Sequence, residues 1–238
     1  MHPVSEVNYF DFDTTQKYYL MRGFFQYEQF FENVKDEIIN HDLKVYPHAI
    51  SKFKSYFTEA VKAVKNSPKS VAFHMRLGDY VRYKIDFPID YYINAIEMMK
   101  ENVQDATFFV FTDSIQLAEK KLAFIANFDY VIVSDESLTS LEEFELMRLC
   151  KHFIIPNSTF SWWAAYLSLA SKKDKQVIAP FPRLRKAKWR ELEQNLETPF
   201  LFELHQIFRY PKEWLLLTPF PDEPQENNIV LDQQPQFN

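Results

Sequence analysis

From residue 70 to residue 179 the chain keeps repeating one pattern. A short run of β-branched and aromatic residues is followed by a residue able to cap a helix, then by apolar positions at helical spacing. Strands are expected at Ser70–Met75, Thr107–Thr112, 130–133, 153–155 and 176–179. Between them, Asp90 is placed to cap a helix bearing Tyr92, Ile93, Ile96 and Met99, and Ser114 to cap one running to about residue 126. Ser140 and Glu143 make a capping-box pattern ahead of Phe144, Met147 and Leu149, and residues 160–169 form a further helix. Apolar runs alternating with helices in this way specify βαβ units. The expected class is α/β, with a parallel sheet and right-handed crossovers that put helices on both faces.

The flanks differ. Residues 17–25 read as an aromatic strand, and Phe30, Phe31, Val34, Ile38 and Ile39 fall near helical spacing. Residues 51–66 fit a helix with Phe53, Phe57, Ala60, Val61 and Val64 on one face. Beyond Trp214, Pro219, Pro221, Pro224 and Pro235 sit among Gln, Asn and acidic residues, and a disordered or extended tail is expected. The chain divides on this reading into an N-terminal segment of helix and strand (1–67), the alternating domain (68–217) and the tail (218–238).

Composition removes several functions. Only two glycines occur, Gly23 and Gly78, so neither a P-loop nor a G-x-G-x-x-G fingerprint is present. Cys150 is the one cysteine, which excludes an intrachain disulfide and a cysteine-cluster metal site. A net charge of −6 argues against a general nucleic-acid binder. No apolar stretch is long enough to span a bilayer, and the first residues have neither the basic start nor the apolar run of a signal peptide. A cytoplasmic location is the expectation.

In an open parallel sheet, ligands bind beyond the carboxyl ends of the strands. The residues there are His74 to Tyr80, then Asp113-Ser114, Ser134-Asp135-Glu136, 156–159 and Pro180. Polar groups therefore gather at one edge. Asn157, Ser158 and Thr159 lead into a helix that is apolar almost all round, with Phe160, Trp162, Trp163, Ala164, Ala165 and Leu167. The free N–H groups and partial positive charge at its start suit a phosphate; the plainer alternative makes Asn157 or Ser158 an ordinary N-cap. Arg76, directly after a strand, can chelate phosphate oxygens, or can simply pair with Asp79 or Asp86. His74 is expected as a hydrogen-bonded core residue. Gly78 allows either positive φ or a close approach. Asp79 is a candidate base, or else it orients Arg76. Asp11-Phe12-Asp13 superficially matches an Asp-x-Asp metal signature but reads better as a solvated turn, and no metal-ligand spacing appears elsewhere.

Several of these segments resemble glycosyltransferase family 11, the α-1,2-fucosyltransferases. His74-Met75-Arg76-Leu77-Gly78-Asp79-Tyr80-Val81 is similar to that family's His-x-Arg-Arg-Gly-Asp-Tyr-Val motif. The stretch from Cys150 to Leu167, containing Asn157-Ser158-Thr159-Phe160-Ser161-Trp162-Trp163, resembles its second block almost residue for residue. Phe109-Val110-Phe111-Thr112-Asp113, Gly23-Phe24-Phe25-Gln26-Tyr27 and Tyr210-Pro211-Lys212-Glu213-Trp214 resemble further family segments, in order.

The resemblance implies a Rossmann-like domain, the donor-binding second lobe of a GT-B fold. It implies an inverting transferase with no metal or other cofactor, moving L-fucose from GDP-fucose to the 2-hydroxyl of a galactose-terminated glycan. By position, Arg76 would contact the diphosphate, and His74 and Asp79 would complete the catalytic set. Gly78, Tyr80, Asp113, Asn157, Ser158, Thr159 and Ser161 would line the donor site. The partners implied are the nucleotide sugar and a glycan acceptor, with no nucleic acid; a lipid-linked acceptor would bring peripheral membrane association. Two departures stand out. Leu77 replaces the motif's second arginine, which removes one cationic donor to the leaving diphosphate. The family's opening Gly-Gly-x-Gly-Asn-Gln is absent, so residues 1–67 read as a remnant of a first lobe that a partner chain could supply. Two rival readings follow: a GDP-sugar-binding module without turnover, and a transferase using another GDP-sugar.

Overall fold

The computed structural model describes residues 55–171, 173–181 and 210–222, with the isolated positions 34, 37, 38, 185 and 187. The strand read at 17–25, the helix from Phe30, the Asp11-Phe12-Asp13 turn and the tail beyond 222 lie outside the described residues.

Among those residues one sheet of six strands is present: β1 (Ser70–Met75), β2 (Thr107–Thr112), β3 (Tyr130–Ile132), β4 (His152–Ile154), β5 (Val177–Pro180) and β6 (Leu215–Leu217). Six helices accompany it: α1 (Ser55–Asn66), α2 (Gly78–Tyr83), α3 (Ile89–Asn102), α4 (Ile115–Leu122), α5 (Ser140–Leu149) and α6 (Thr159–Tyr166). Every pairing is parallel. The order is β3-β2-β1-β4-β5-β6, that of a doubly wound nucleotide-binding sheet. The expected α/β Rossmann-like class therefore holds.

The central strands are buried on both faces, which is why they read as continuous apolar runs. Their side chains still alternate. Ala72, Phe109, Phe111, Phe153, Val177 and Ala179 enter a core with α1, α5 and α6, joined by Tyr210 and Trp214. Val71, Phe73, Met75, Phe108, Val110, Ile154 and Ile178 enter a second core with α3 and α4. Each large side chain removed from water contributes roughly 1.5–3 kcal/mol, so the two layers together dominate the stability of this region.

Several boundaries move. Pro88, not Asp90, holds the N-cap position of α3, and Asp90 sits in the first turn where its charge favours the helix dipole. α4 ends at Leu122, short of the expected 126. The capping box of α5 is Thr139 with Glu142, one residue earlier than expected: Thr139 Oγ1 accepts from the Glu142 N–H at 3.3 Å, and Glu142 Oε2 accepts from the Thr139 N–H at 2.6 Å. Thr-Ser-Leu-Glu-Glu satisfies the pattern in either register. α6 stops at Tyr166, and Leu169 is exposed. β6 was not foreseen. Leu215–Leu217 adds to β5 through tertiary pairing (Ile178↔Leu215, Pro180↔Leu217), which a leucine run beside prolines does not announce. Just past it, Phe220 is buried against Phe87 at 5.7 Å, so the proline-rich stretch is packed at its start.

Candidate functional site

β1 and β4 are neighbours, while the next strands along the chain lie on opposite sides of them. That is a topological switch point, where open parallel sheets bind ligands beyond the carboxyl ends of their strands. The turns after these two strands carry Arg76 and Asn157.

The turn after β1 is organised by carboxylates. Arg76 Nε donates to Asp79 Oδ1 at 2.9 Å and lies 3.2 Å from Asp113 Oδ2. Among the described residues the two terminal guanidinium nitrogens carry no hydrogen bond or ion pair. Burial works against the Arg76 charge, but the Asp79 hydrogen bond and the field of Asp113 outweigh it and raise its pKa. Of the two ion pairs weighed from sequence, the one with Asp79 forms. Asp86 instead takes Lys121 Nζ at 2.8 Å.

Asp113 does more than line the edge. Its Oδ1 accepts from the Leu77 N–H at 2.7 Å and its Oδ2 from the Gly78 N–H at 3.1 Å. One side chain at the end of β2 thus holds both the backbone and the cation of the β1 turn. Gly78 is needed for this approach, not for positive φ: a Cβ there would sit 2.7 Å from Asp113 Oδ2. The Leu77 side chain is wholly buried in the core shared with α3 and α4. The arginine-to-leucine departure is therefore accommodated as an apolar packing position.

His74 is 4% exposed, and its Nδ1 has no partner among the described residues, contrary to the expected hydrogen-bonded core histidine. Burial is the main force lowering its pKa to about 3, opposed by Asp113 and reinforced by Arg76, so the ring is neutral at ordinary pH. Its ring centroid is 6.0 Å from that of Phe160.

The turn after β4 is held differently. Ser158 occupies the N-cap position of α6 but makes no side-chain cap, so capping is not its role. The leading N–H groups of the helix keep their partial positive charge at the crevice edge. At the other end, Lys175 Nζ donates to the Ala165 carbonyl at 2.7 Å and Arg148 Nε to the Leu167 carbonyl at 3.2 Å. Two buried cations thereby satisfy the final carbonyls and match the helix dipole. Ser161 is fully buried with its hydroxyl donated to the Ser158 carbonyl at 3.3 Å, so it is not available to a ligand. Asn157 and Thr159 are partly exposed.

Tyr80 joins the two turns. Its ring lies 5.8 Å from the Arg76 guanidinium, and its hydroxyl donates to the Asn157 carbonyl at 3.4 Å. Arg76, Gly78, Asp79, Tyr80, Asp113 and Asn157 are therefore joined by one set of contacts at the switch point. Glu143, read from sequence as a capping residue, lies outside the capping box of α5, which uses Glu142. Burial raises its pKa, the nearby Ser134 hydroxyl opposes the rise, and the charge of Asp113 adds to it. No helix among the described residues is long and apolar enough to cross a membrane.

A family profile described as Glycosyl transferase family 11 matches residues 3–192. The O-antigen biosynthesis glycosyltransferase WbnK of Escherichia coli is 33% identical over 125 residues, 50% of this chain and 40% of that protein. An alpha-1,2-colitosyltransferase of Escherichia coli is 33% identical over 153 residues, 61% of this chain and 47% of that protein. The chain spans less than half the length of these two curated relatives. With most of its length covered by the family profile, the chain belongs to glycosyltransferase family 11.

Proposed function

We propose that this chain binds the nucleotide-sugar donor of an inverting, metal-independent transferase, one that moves L-fucose from GDP-fucose to the 2-hydroxyl of a galactose-terminated glycan. The observation that carries the reading is Arg76. Its Nε is committed to Asp79 and Asp113, which orient the guanidinium and leave its terminal nitrogens for a bidentate contact with a diphosphate. The α6 N-terminus, linked through Tyr80, adds N–H dipoles on the opposite side. The leaving group is a nucleoside diphosphate, so the demand on the protein is electrostatic: preorganised donors aimed at negative charge that grows as the glycosidic bond breaks. Asp79, bonded to Arg76, acts by positioning it. The proton of the attacking hydroxyl passes to a diphosphate oxygen of the leaving group.

Incubation with GDP-fucose and a galactose-terminated acceptor is expected to release GDP and yield a 2-fucosylated product. Calorimetric binding of GDP with no product would leave a binding module without turnover; no binding would end both readings. One relative's name favours a second donor, colitose in the same linkage, and competition between the two GDP-sugars separates them. If product forms only after a partner protein is added, that partner supplies the acceptor side. A lipid-linked acceptor, with the peripheral membrane association it brings, is tested by substituting it for the free glycan.

A further inference from the structure

α2 leaves the Arg76 turn and buries none of its six residues; Val81, Arg82 and Tyr83 stand exposed. It is nevertheless fixed at both ends. At its start Asp113 holds the Leu77 and Gly78 N–H groups, and the Val81 N–H donates to the Leu77 carbonyl at 2.7 Å. At its end Lys84 takes the left-handed conformation (φ 55°), and the Ile85 N–H donates back to the Tyr80 carbonyl at 2.9 Å. A lysine in that region persists only where surrounding contacts hold it, so the helix has a defined stop and not a frayed one. On a helix, residues three and four apart share a face, and side chains lean back over the preceding turn. Tyr83 follows Tyr80 by three residues and Asp79 by four. Tyr80 faces the switch point, with its hydroxyl on the Asn157 carbonyl and its ring beside Arg76. Tyr83 therefore leans toward the same side, one turn farther out. It is 56% exposed, and the Arg82 guanidinium lies 5.9 Å from its ring. Asp79 gives Oδ1 to Arg76; its Oδ2 carries no hydrogen bond or ion pair among the described residues, and its side chain is 46% exposed.

We propose that Tyr83 is the platform for the acceptor's terminal sugar, whose ring packs on the exposed tyrosine face while Asp79 Oδ2 accepts from one of its hydroxyls. A pyranose such as galactose gathers C–H bonds on one face and hydroxyls around its rim. The first match an aromatic ring and the second a carboxylate. Both groups stand on one face of α2, and the carboxylate is bonded to the arginine proposed to grip the diphosphate. Four residues of helix advance about 6 Å, so a sugar on Tyr83 and a donor held at Arg76 are roughly one ring apart. This inference rests on the proposed transferase reading and adds its acceptor side, which Arg76, Asp113 and the α6 N-terminus do not supply.

Initial rates with GDP-fucose and a galactose-terminated acceptor test this, each varied against saturating amounts of the other. Tyr83→Ala is expected to raise the acceptor KM about fivefold to tenfold, the weight of one aromatic contact, and to leave the donor KM within about twofold. Tyr83→Phe keeps the ring face and is expected to keep the acceptor KM within about twofold. An acceptor KM unmoved by Tyr83→Ala overturns the inference. So does a donor KM that rises in its place, which would put the transferred sugar on the ring. A Tyr83→Phe variant as poor as Tyr83→Ala is equally fatal, since the hydroxyl and not the face would then hold the sugar. Because Tyr83 is exposed, both variants are expected to melt with the unmodified chain. If the unmodified chain forms no product, saturation-transfer NMR with GDP and methyl β-galactoside decides. Transfer to the galactoside ring protons that is lost in Tyr83→Ala supports the platform while the turnover reading falls. No transfer with GDP bound overturns the platform and leaves the donor site standing. Binding of neither compound removes both.

Discussion

After β1, residues 76–80 are organised by the carboxylates of Asp79 and Asp113, whereas after β4, residues 156–160 are anchored by the aromatic packing of the helix they lead into. The two turns lie side by side at the switch point and are joined through Tyr80. The first is partly exposed and built from charge and backbone N–H groups. The second rests on Trp162, which stacks on Tyr166 at 5.0 Å and meets Trp163 and Trp214 at 5.0 and 5.6 Å. Polar scaffolds can be altered with the fold intact, because water replaces part of what is lost. An aromatic anchor cannot, because its contacts are the fold. Function and stability are thus separable at one turn and inseparable at the other.

Trp162→Ala tests the second half of that contrast and carries the largest expected effect. The side chain is 1% exposed, and truncation is expected to cost about 3–5 kcal/mol of unfolding free energy, read from urea denaturation. Nucleotide binding falls with it. A loss under about 1 kcal/mol would mean that α6 is not held by its aromatic face.

His74 gives the turn after β1 its own buried contribution, and this one depends on pH. Burial lowers its pKa to about 3, below the ordinary 6.5 of the unfolded chain. The unfolded state therefore binds the extra proton first. The neutral ring's contribution is complete above about pH 6.5 and is lost as pH falls toward 3, on the order of a few kcal/mol. His152, lowered mainly by burial, acts in the same direction. Between pH 7 and 4, His74→Gln is expected to lose less stability than the unmodified chain. Parallel curves would show that His74 is not buried neutral.

Gly78→Ala probes the close approach. The new Cβ would meet Asp113 Oδ2 at 2.7 Å, and that carboxylate is held by two backbone N–H groups and Arg76. It cannot swing aside without releasing them. We expect a loss of about 1–3 kcal/mol and a weaker hold on Arg76, seen as reduced GDP affinity. Unchanged stability with unchanged affinity would show that the carboxylate is more mobile than the geometry says.

What the sequence discloses follows from which forces act locally. The strands of the two-sided core announce themselves as Val71-Ala72-Phe73 and Phe108-Phe109-Val110, and their parallel order follows from the intervening helices. The edge where polar residues gather is equally visible, since Arg76, Asp113 and Asn157 each follow an apolar run. What hides is anything decided by a partner distant in the chain. β6 exists because β5 is beside it. Asp113 looks like a ligand contact until its two oxygens are seen on the backbone of residues 77 and 78. Ser161 looks like part of an exposed small-residue cluster until the helix turns it inward. The cap register of α5 stayed open because two adjacent glutamates fit one capping pattern.

The smallest effect distinguishes the two turns from underneath. Tyr91 and Tyr92 are adjacent on α3, both buried, and burial raises the pKa of both hydroxyls, so both stay protonated. Tyr91 donates its proton to the Ile155 carbonyl at 2.6 Å, directly below the turn after β4. The Tyr92 ring packs edge-on to Phe73 of β1 at 5.4 Å, and its hydroxyl has no partner among the described residues. Removing a bonded hydroxyl strands a buried carbonyl, while removing an unbonded one relieves a desolvation cost. Tyr91→Phe is accordingly expected to destabilise by about 1–2 kcal/mol and Tyr92→Phe to be neutral or to stabilise by up to about 1 kcal/mol. Thermal denaturation of the two variants side by side reads the difference in sign. Equal losses would mean that the Tyr92 hydroxyl is hydrogen-bonded in solution, and the turn after β1 would then have a buried polar support of its own.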